Sequence, residues 1–484
     1  MFEGQFYCNG IDGSTGEYLL PPLTSQQISH VAQGESFDPP HLSELKSKNR
    51  QVKGLDPDFA PVEGIDPKNL DETGWGIIFA FDPEFGGPNP AIREALLELL
   101  EYRKKQATQN NSKFYQEYTY RLGESKGKFL ARHGVGPGPV NPKKMPYYLL
   151  IVGDPNTIPY NFQYQLDVQY AVGRIYFHEI SDYKQYAHSV VEAETKTLKR
   201  RRCVTFFGVR NNDDKATQLS AEHLIQPLAE TTARAHLTWD VRALLPHRTT
   251  KLRLGQLLGG SETPALLFTA SHGLGFQNGD SRQLSKQGAL ICQDWPGPLQ
   301  SPGKNGIPDD YYFCADDVSE EARLLGLIIF NFACYSAGTP QMDEFSHRDP
   351  TNQRETIAHQ AFVACLPQRL LSHQNGGALA VIGHVDRAWG CSFVWEEAGE
   401  QLAVFQSTLK RLLDGHPVGS AVEYFNERYA ELSSDLSTEL EDIKFGKIAD
   451  DISLANMWTA NNDARSYAIV GDPAVRLMVD IAAE

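Results

Sequence analysis

Two short stretches carry the side chains best suited to chemistry. In the first, Ala265-Leu266-Leu267-Phe268-Thr269-Ala270-Ser271-His272-Gly273, an apolar run leads straight into His-Gly. In the second, Leu327-Ile328-Ile329-Phe330-Asn331-Phe332-Ala333-Cys334-Tyr335-Ser336-Ala337-Gly338, an apolar run leads into Ala-Cys and then small residues. A cysteine attacks as its thiolate, and a nearby imidazole lowers the thiol's pKa or takes its proton. The same imidazole can then protonate a leaving amine. A glycine after the histidine allows close backbone approach and offers an open N–H. With the N–H of Cys334, the Gly273 N–H would form an oxyanion hole, an effect worth a few kcal/mol. A lone strand-end cysteine is ordinarily a small core residue, and a lone strand-end histidine a satisfied polar group. The two together, each ending an apolar run among small neighbours, point to a Cys334–His272 pair.

Elements of a definite kind are needed to bring that pair together. Strand-length apolar runs occur at 76–81, 147–152, 170–175, 203–209, 237–245, 265–270, 324–332, 378–385 and 467–470. Helical spacing lies between them, at 88–109 (with Asn89 as N-cap and Pro90 at the first helical position), 181–201, 218–235, 353–372 and 393–435. Continuous apolar strands alternating with helices predict an α/β fold with a mostly parallel sheet covered on both faces. Its ligand crevice lies beyond the carboxyl ends of the strands. His272 and Cys334 both fall at such ends, and the chain between them is long enough for one crossover, so their strands can be neighbours. Asn331 and Ser271 are placed to orient the imidazole or line the cleft. His384 also ends a run but has no glycine after it, which suits a structural or pocket-lining residue. The basic cluster Lys199-Arg200-Arg201-Arg202 fits a helix C-terminus. Ile151-Val152-Gly153-Asp154-Pro155 recurs as Ile469-Val470-Gly471-Asp472-Pro473, a strand-ending turn with Asp before Pro, or the trace of two related halves.

The bulk properties exclude several partners. The net charge of −16 over 484 residues disfavours nucleic acid and anionic membrane, since both want a basic face. No apolar run approaches the roughly 18 residues of a membrane span, and the N-terminal residues lack a basic region followed by an apolar one. The seven cysteines are scattered, with no CxxC spacing, so neither a zinc cluster nor a disulfide framework is expected, and a reducing, cytoplasmic setting is the plain reading.

The ordered set of motifs resembles the caspase-like cysteine peptidases, the group that includes caspases, gingipains, clostripain, separase and bacterial CHAT-domain proteases. The resemblance is nearest to the gingipain-like and CHAT-like branch. It rests on strand–His-Gly and strand–Ala-Cys, on Tyr148–Pro155 with Ile158-Pro159-Tyr160, on Tyr170–Ile175, on Gly377–His384 followed by Trp389, and on Tyr467–Pro473. It covers residues 75–480. It implies a three-layer caspase-like unit at 203–484, preceded by a smaller α/β subdomain at 71–202; residues 1–70, rich in Gly, Pro, Asp and Ser with weak periodicity, read as an irregular extension with no counterpart in that group. It implies endopeptidase activity on protein or peptide substrates through Cys334 and His272, with no metal or organic cofactor. A pocket for the residue before the cut follows too. In the gingipain and clostripain branches an acidic side chain there holds Arg or Lys, and Asp167 and Asp386 are the candidates here, with Trp389 as a wall. The long loops at 277–315 and 339–360 would shape the cleft or serve as activation points, with Arg282, Lys286, Lys304 and Arg354 suited to self-cleavage by a basic-specific enzyme. An activating partner is a further expectation, and a role in bacterial regulated proteolysis or antiviral defence accompanies the resemblance. The rival readings are an inactive scaffold that keeps the fold and a different Cys-His enzyme such as an acyltransferase or amidase.

Overall fold

All nine apolar runs form strands of one sheet in the computed structural model, which describes residues 5–34, 39–52, 65–136, 140–196, 199–300, 306–343, 354–395 and 399–480. In chain order the strands are β1 (Trp75–Ala80), β2 (Tyr115–Tyr120), β3 (Tyr148–Val152), β4 (Ala171–Ile175), β5 (Cys203–Gly208), β6 (Asp240–Leu244), β7 (Leu266–Ala270), β8 (Ile328–Phe332), β9 (Ala380–His384) and β10 (Tyr467–Gly471). The ten lie in the order β2-β1-β3-β4-β10-β9-β8-β7-β5-β6. All neighbours pair parallel except β9 and β10. The sheet therefore consists of two parallel groups that run in opposite directions and meet at the β9–β10 seam.

Every residue of β7, β8 and β9 is buried, so both faces of this half are covered, as uninterrupted apolar strands require. On one face Phe206, Phe268 and Phe330 form a row across β5, β7 and β8, with ring centroids 5.6 and 4.6 Å apart. Phe405, from the helix Ala403–Leu413, and Phe425, from the helix Glu423–Lys444, close over that row. Each such ring contributes about 1.5–3 kcal/mol through its burial. The two Gly-Asp-Pro turns have separate tasks. Asp154 caps its own turn through the N–H groups of Asn156 and Thr157. Asp472 is fully buried and accepts from Arg103 at 2.7 Å and from the Trp75 indole at 2.9 Å.

Three local expectations differ from the structure. The helical stretch 88–109 is two helices, Pro90–Ala95 and Leu97–Ala107, with the Asn89 cap in place. The helix after β4 is Ile180–Thr195, so the basic cluster does not finish it. Instead the Arg200 guanidinium donates to the backbone carbonyls of Leu325, Thr263 and Arg323. The N-terminal extension is not irregular throughout. Ser25–Ala32 is a helix with a Thr24/Gln27 capping box that packs on the helix Asp451–Ser466, and Pro39–Val52 is a helix that packs on Glu423–Lys444. Among the described residues no helix is long and apolar enough to cross a membrane.

Register brings the carboxyl ends of four strands side by side. β7 pairs with β8 from Leu266↔Ile328 to Ala270↔Phe332, and with β5 on its other side so that Ala270 faces Gly208. β9 flanks β8, with Phe330 opposite Ile382. The segments that follow β5, β7, β8 and β9 therefore emerge together.

Candidate active site

Ser271 and His272 leave β7 where Ala333 and Cys334 leave β8. The Ser271 N–H donates to the Phe332 carbonyl at 3.2 Å, which holds the two exits together. The glycine after His272 has a steric reason. A Cβ at Gly273 would fall 1.8 Å from the Cys334 carbonyl oxygen and 2.8 Å from its nitrogen. Only glycine allows the two backbones so close. Cys334 is followed by Tyr335, which holds a left-handed backbone with φ at +58°. Such a conformation is uncommon for a bulky residue and marks a turn held in place by its surroundings. Here the Tyr335 N–H donates to the Asp386 carbonyl at 2.9 Å.

His272 and Cys334 are fully buried. The imidazole Nε2 lies 2.7 Å from Asp214 Oδ2, while Nδ1 has no hydrogen-bond partner among the described residues. Asp214 stands at the carboxyl end of β5 and caps the helix Lys215–Ser220. Its carboxylate also accepts from the Tyr18 phenol at 2.6 Å, the Thr217 hydroxyl at 2.6 Å and the Ala216 N–H at 3.2 Å. Burial alone would raise the Asp214 pKa, but His272, Thr217 and Tyr18 outweigh it and hold the carboxyl below its usual value. A charged acceptor behind the ring fixes its tautomer and orientation. The Tyr18 and Trp295 rings meet the imidazole edge-on, each with a centroid separation of 5.8 Å.

The Cys334 thiol sits against the segment after β9, where its sulfur accepts the Ala388 N–H at 3.2 Å. Its other neighbour is Cys8. Burial pushes the Cys334 thiol up, and the Cys8 sulfur beside it adds to the effect. The hydrogen bond between the two thiols pulls Cys8 the other way. Cys8 belongs to an extended N-terminal strand that crosses the site. Its residues Gly10–Asp12 pair parallel with Gly273–Gly275 in a small four-stranded sheet. The N–H groups of Gly273 and Cys334 converge on one acceptor, the Asn9 carbonyl, at 2.8 and 3.2 Å.

The remaining sequence candidates are placed as follows. Ser271 lines the space taken by the Asn9 side chain, with its carbonyl 3.4 Å from Asn9 Nδ2. Asn331 is tied across to Thr269 at 2.7 Å. Trp389 is buried beside the cleft, its backbone N–H donates to Asp463 at 2.9 Å, and Trp389 forms a β-bridge with Cys8. Asp386 lines a separate cavity of about 540 Å³ together with Tyr160, Tyr164, Arg354 and Arg465; neither His272 nor Cys334 lines that cavity. Burial pushes the Asp386 carboxyl up to about 6, against the pull of Arg387. Arg387 itself grips Asp343 with two bonds of 2.6 and 2.9 Å. Asp167 lies at the other group of strands, where its carboxylate caps the Val172 N–H of β4 at 3.0 Å. Of the loop cations, Arg282 is held by Asp280 and Ser14, Lys286 by Asp309, and Arg354 lines the Asp386 cavity; Lys304 lies outside the described residues. Among the described residues no group of three or more His, Cys, Asp or Glu is arranged to hold a metal.

Sequence reasoning missed Asp214, Tyr18, Cys8 and Asn9. Asp214 had a usable signal: it follows the 203–209 run, and acidic residues just beyond a strand adjacent to the histidine strand face the same crevice. The three N-terminal residues had none, because their partners are more than 190 positions away.

No protein-family model matches this chain, and no curated protein matches it. Among solved structures, one described as a protease is similar over 84% of this chain and 78% of its own, at 12% identity and a TM-score of 0.47. The complex of Porphyromonas gingivalis RgpB pro- and mature domains is similar over 84% and 80%, at 11% identity and 0.43. The Saccharomyces cerevisiae separase–securin complex is similar over 68% and 16%, at 7% identity and 0.30. Each is a distant likeness of chain trace.

Proposed function

We propose that this chain is a cysteine endopeptidase of the caspase-like kind, with Cys334 as nucleophile, His272 as base and acid, and Asp214 as the group that orients the imidazole. The observation that carries the reading is the convergence of the Gly273 and Cys334 N–H groups on a single peptide carbonyl beside the Cys334 thiol. Two backbone donors aimed at one carbonyl oxygen are what a tetrahedral intermediate of acyl transfer requires. The thiol attacks the carbonyl carbon and His272 takes its proton. The oxyanion stays in the two-donor site, and His272 returns the proton to the departing amine. Substrate would lie as an extended strand against 388–390, because main-chain pairing there leaves the scissile carbonyl over the thiol.

A preference for Arg or Lys before the cut would draw on Asp386, yet Arg354 and Arg465 share the Asp386 cavity and oppose a third cation. The residue whose carbonyl takes the two N–H donors is the neutral Asn9, its side chain at the Ser271 carbonyl. Labelling with a peptidyl electrophile, followed over time by mass spectrometry, tests the reading. Adduct on Cys334 that is lost in Cys334→Ala and His272→Ala is the expected result. Equal labelling of several cysteines, indifferent to His272, would favour an inactive scaffold with the same fold.

A further inference from the structure

We infer that the chain is its own first substrate, and that Cys334 cleaves the bond between Asn9 and Gly10 of the same molecule. The inference rests on the peptidase reading above and extends it to a named bond. Four observations place that bond where a substrate's would be. First, residues 7–9 run antiparallel to 388–390. The Asn9 N–H donates to the Ala388 carbonyl at 2.8 Å, and the Gly390 N–H donates to the Tyr7 carbonyl at 3.1 Å. Second, the Asn9 carbonyl takes both hole donors, Gly273 and Cys334. Third, Gly10 lies directly on the nucleophile. A Cβ there would fall 2.9 Å from Cys334 Sγ and 3.2 Å from Cys334 Cβ, so the glycine is what lets the peptide settle onto the sulfur. Fourth, the leaving side is held separately. Gly10–Asp12 pair with Gly273–Gly275, and the Leu19 N–H binds the Gly10 carbonyl at 3.0 Å.

The Asn9 side chain occupies a small polar niche. Its Nδ2 lies 3.4 Å from the Ser271 carbonyl and 3.5 Å from the Ser220 hydroxyl. Its Oδ1 is buried without a hydrogen-bond partner among the described residues. A short neutral amide fills this space. An unsatisfied buried acceptor is unfavourable, so the side chain is held by its backbone rather than drawn in by its own bonding.

The step balances without any further reagent than water. A bond forms between Cys334 Sγ and the Asn9 carbonyl carbon, and the bond from that carbon to the Gly10 nitrogen breaks. The thiol proton travels through His272 to that nitrogen, which becomes the amino group of a new N-terminus. Water then splits the thioester, leaving a carboxylate on Asn9 and restoring the thiol. The segment ending at Asn9 departs with Cys8, whose sulfur covers Cys334, while Gly10 onward stays in the small sheet. One turnover thus turns a covered site into an open one shaped for a second extended peptide.

The test is N-terminal sequencing and intact mass of the purified full chain over time, for wild type, Cys334→Ala, His272→Ala, and a mixture of wild type with a tagged Cys334→Ala chain. The expected result is a new N-terminus at Gly10 in wild type, formed at a rate independent of protein concentration. Both variants stay uncut, and the tagged chain stays uncut in the mixture; a thermal melt confirms that the variants fold. A wild-type chain that keeps its N-terminus while hydrolysing peptides overturns self-cleavage and leaves the peptidase reading standing. An intact N-terminus with no peptide hydrolysis overturns both. Cutting of the tagged Cys334→Ala chain by wild type overturns the intramolecular step.

Discussion

His272 and His384 end two strands of the same sheet, with only β8 between them, and neither has any exposed surface. Their surroundings assign them opposite parts. His272 has behind it a carboxylate that burial would raise but that the ring itself, Thr217 and Tyr18 hold below its usual value. His384 packs against the Tyr467 ring at 4.1 Å and the Phe332 ring at 5.8 Å, and burial drops its pKa to about 3. The carboxylate nearest to it, Asp463 at 3.6 Å, is itself pushed up to about 7 by burial. Between about pH 3 and about pH 7 that second pair rests uncharged. Asp463 also accepts hydrogen bonds, from the Trp389 backbone N–H and from Ser392, but they do not offset its burial, so both members of that pair neutralise, whereas the Asp214 carboxyl stays below its usual value.

The largest expected effect separates the two directly. His272→Ala should lower peptide hydrolysis by about 10³-fold or more, since base and nucleophile act as a unit. His384→Phe, which keeps an aromatic ring in an aromatic site, should stay within about tenfold of wild type by the modest cost of a shape-conserving swap. Initial rates decide it, and equal losses would break the comparison. Asp214→Asn comes next. The ring would lose its charged acceptor, and kcat should fall by about 10² to 10⁴ with little change in KM. A rise in KM alone would make Asp214 a packing residue.

Two smaller effects concern stability. Gly273→Ala puts a methyl 1.8 Å from the Cys334 carbonyl oxygen, so the exits of β7 and β8 must part. A loss of about 1–3 kcal/mol or more is expected in denaturant melts. The smallest effect is the pH response of His384. Its folded pKa, near 3, lies below the unfolded value of about 6.5, so its contribution is present above that value and is lost as pH falls toward 3. Wild type should therefore lose more stability than His384→Phe between pH 7 and pH 4. Parallel melting curves in that window would show that His384 is charged in the fold.

The strands, and the strand-end positions of His272 and Cys334, were legible because each rests on local pattern. A run such as Leu266–Ala270, buried along its whole length, reads as apolar without reference to anything else. β2 was missed for the opposite reason: Tyr115–Tyr120 is an edge strand with exposed Glu117 and half-exposed neighbours, so its sequence is mixed. Arg200 was misread because basic residues near a helix end have a familiar local explanation, whereas its carbonyl partners lie 63 to 125 positions away. The pocket candidates are engaged by nearer neighbours: Asp167 caps the Val172 N–H and Asp386 lies beside Arg387. The N-terminal strand was opaque. Nothing in Tyr7-Cys8-Asn9-Gly10 signals a partner, and only the closed fold shows its carbonyl between Gly273 and Cys334.

The central claim is that Cys334 and His272 break peptide bonds. It is tested most directly by a fluorogenic peptide panel in which the residue before the cut is Asn, Arg, Lys, Asp or Leu, given to wild type, Cys334→Ala and His272→Ala at equal concentration. The predicted result is turnover by wild type of at least one member, Asn among them, and none by either variant. The same rate in all three chains, or no turnover by wild type once its N-terminus is Gly10, would contradict it.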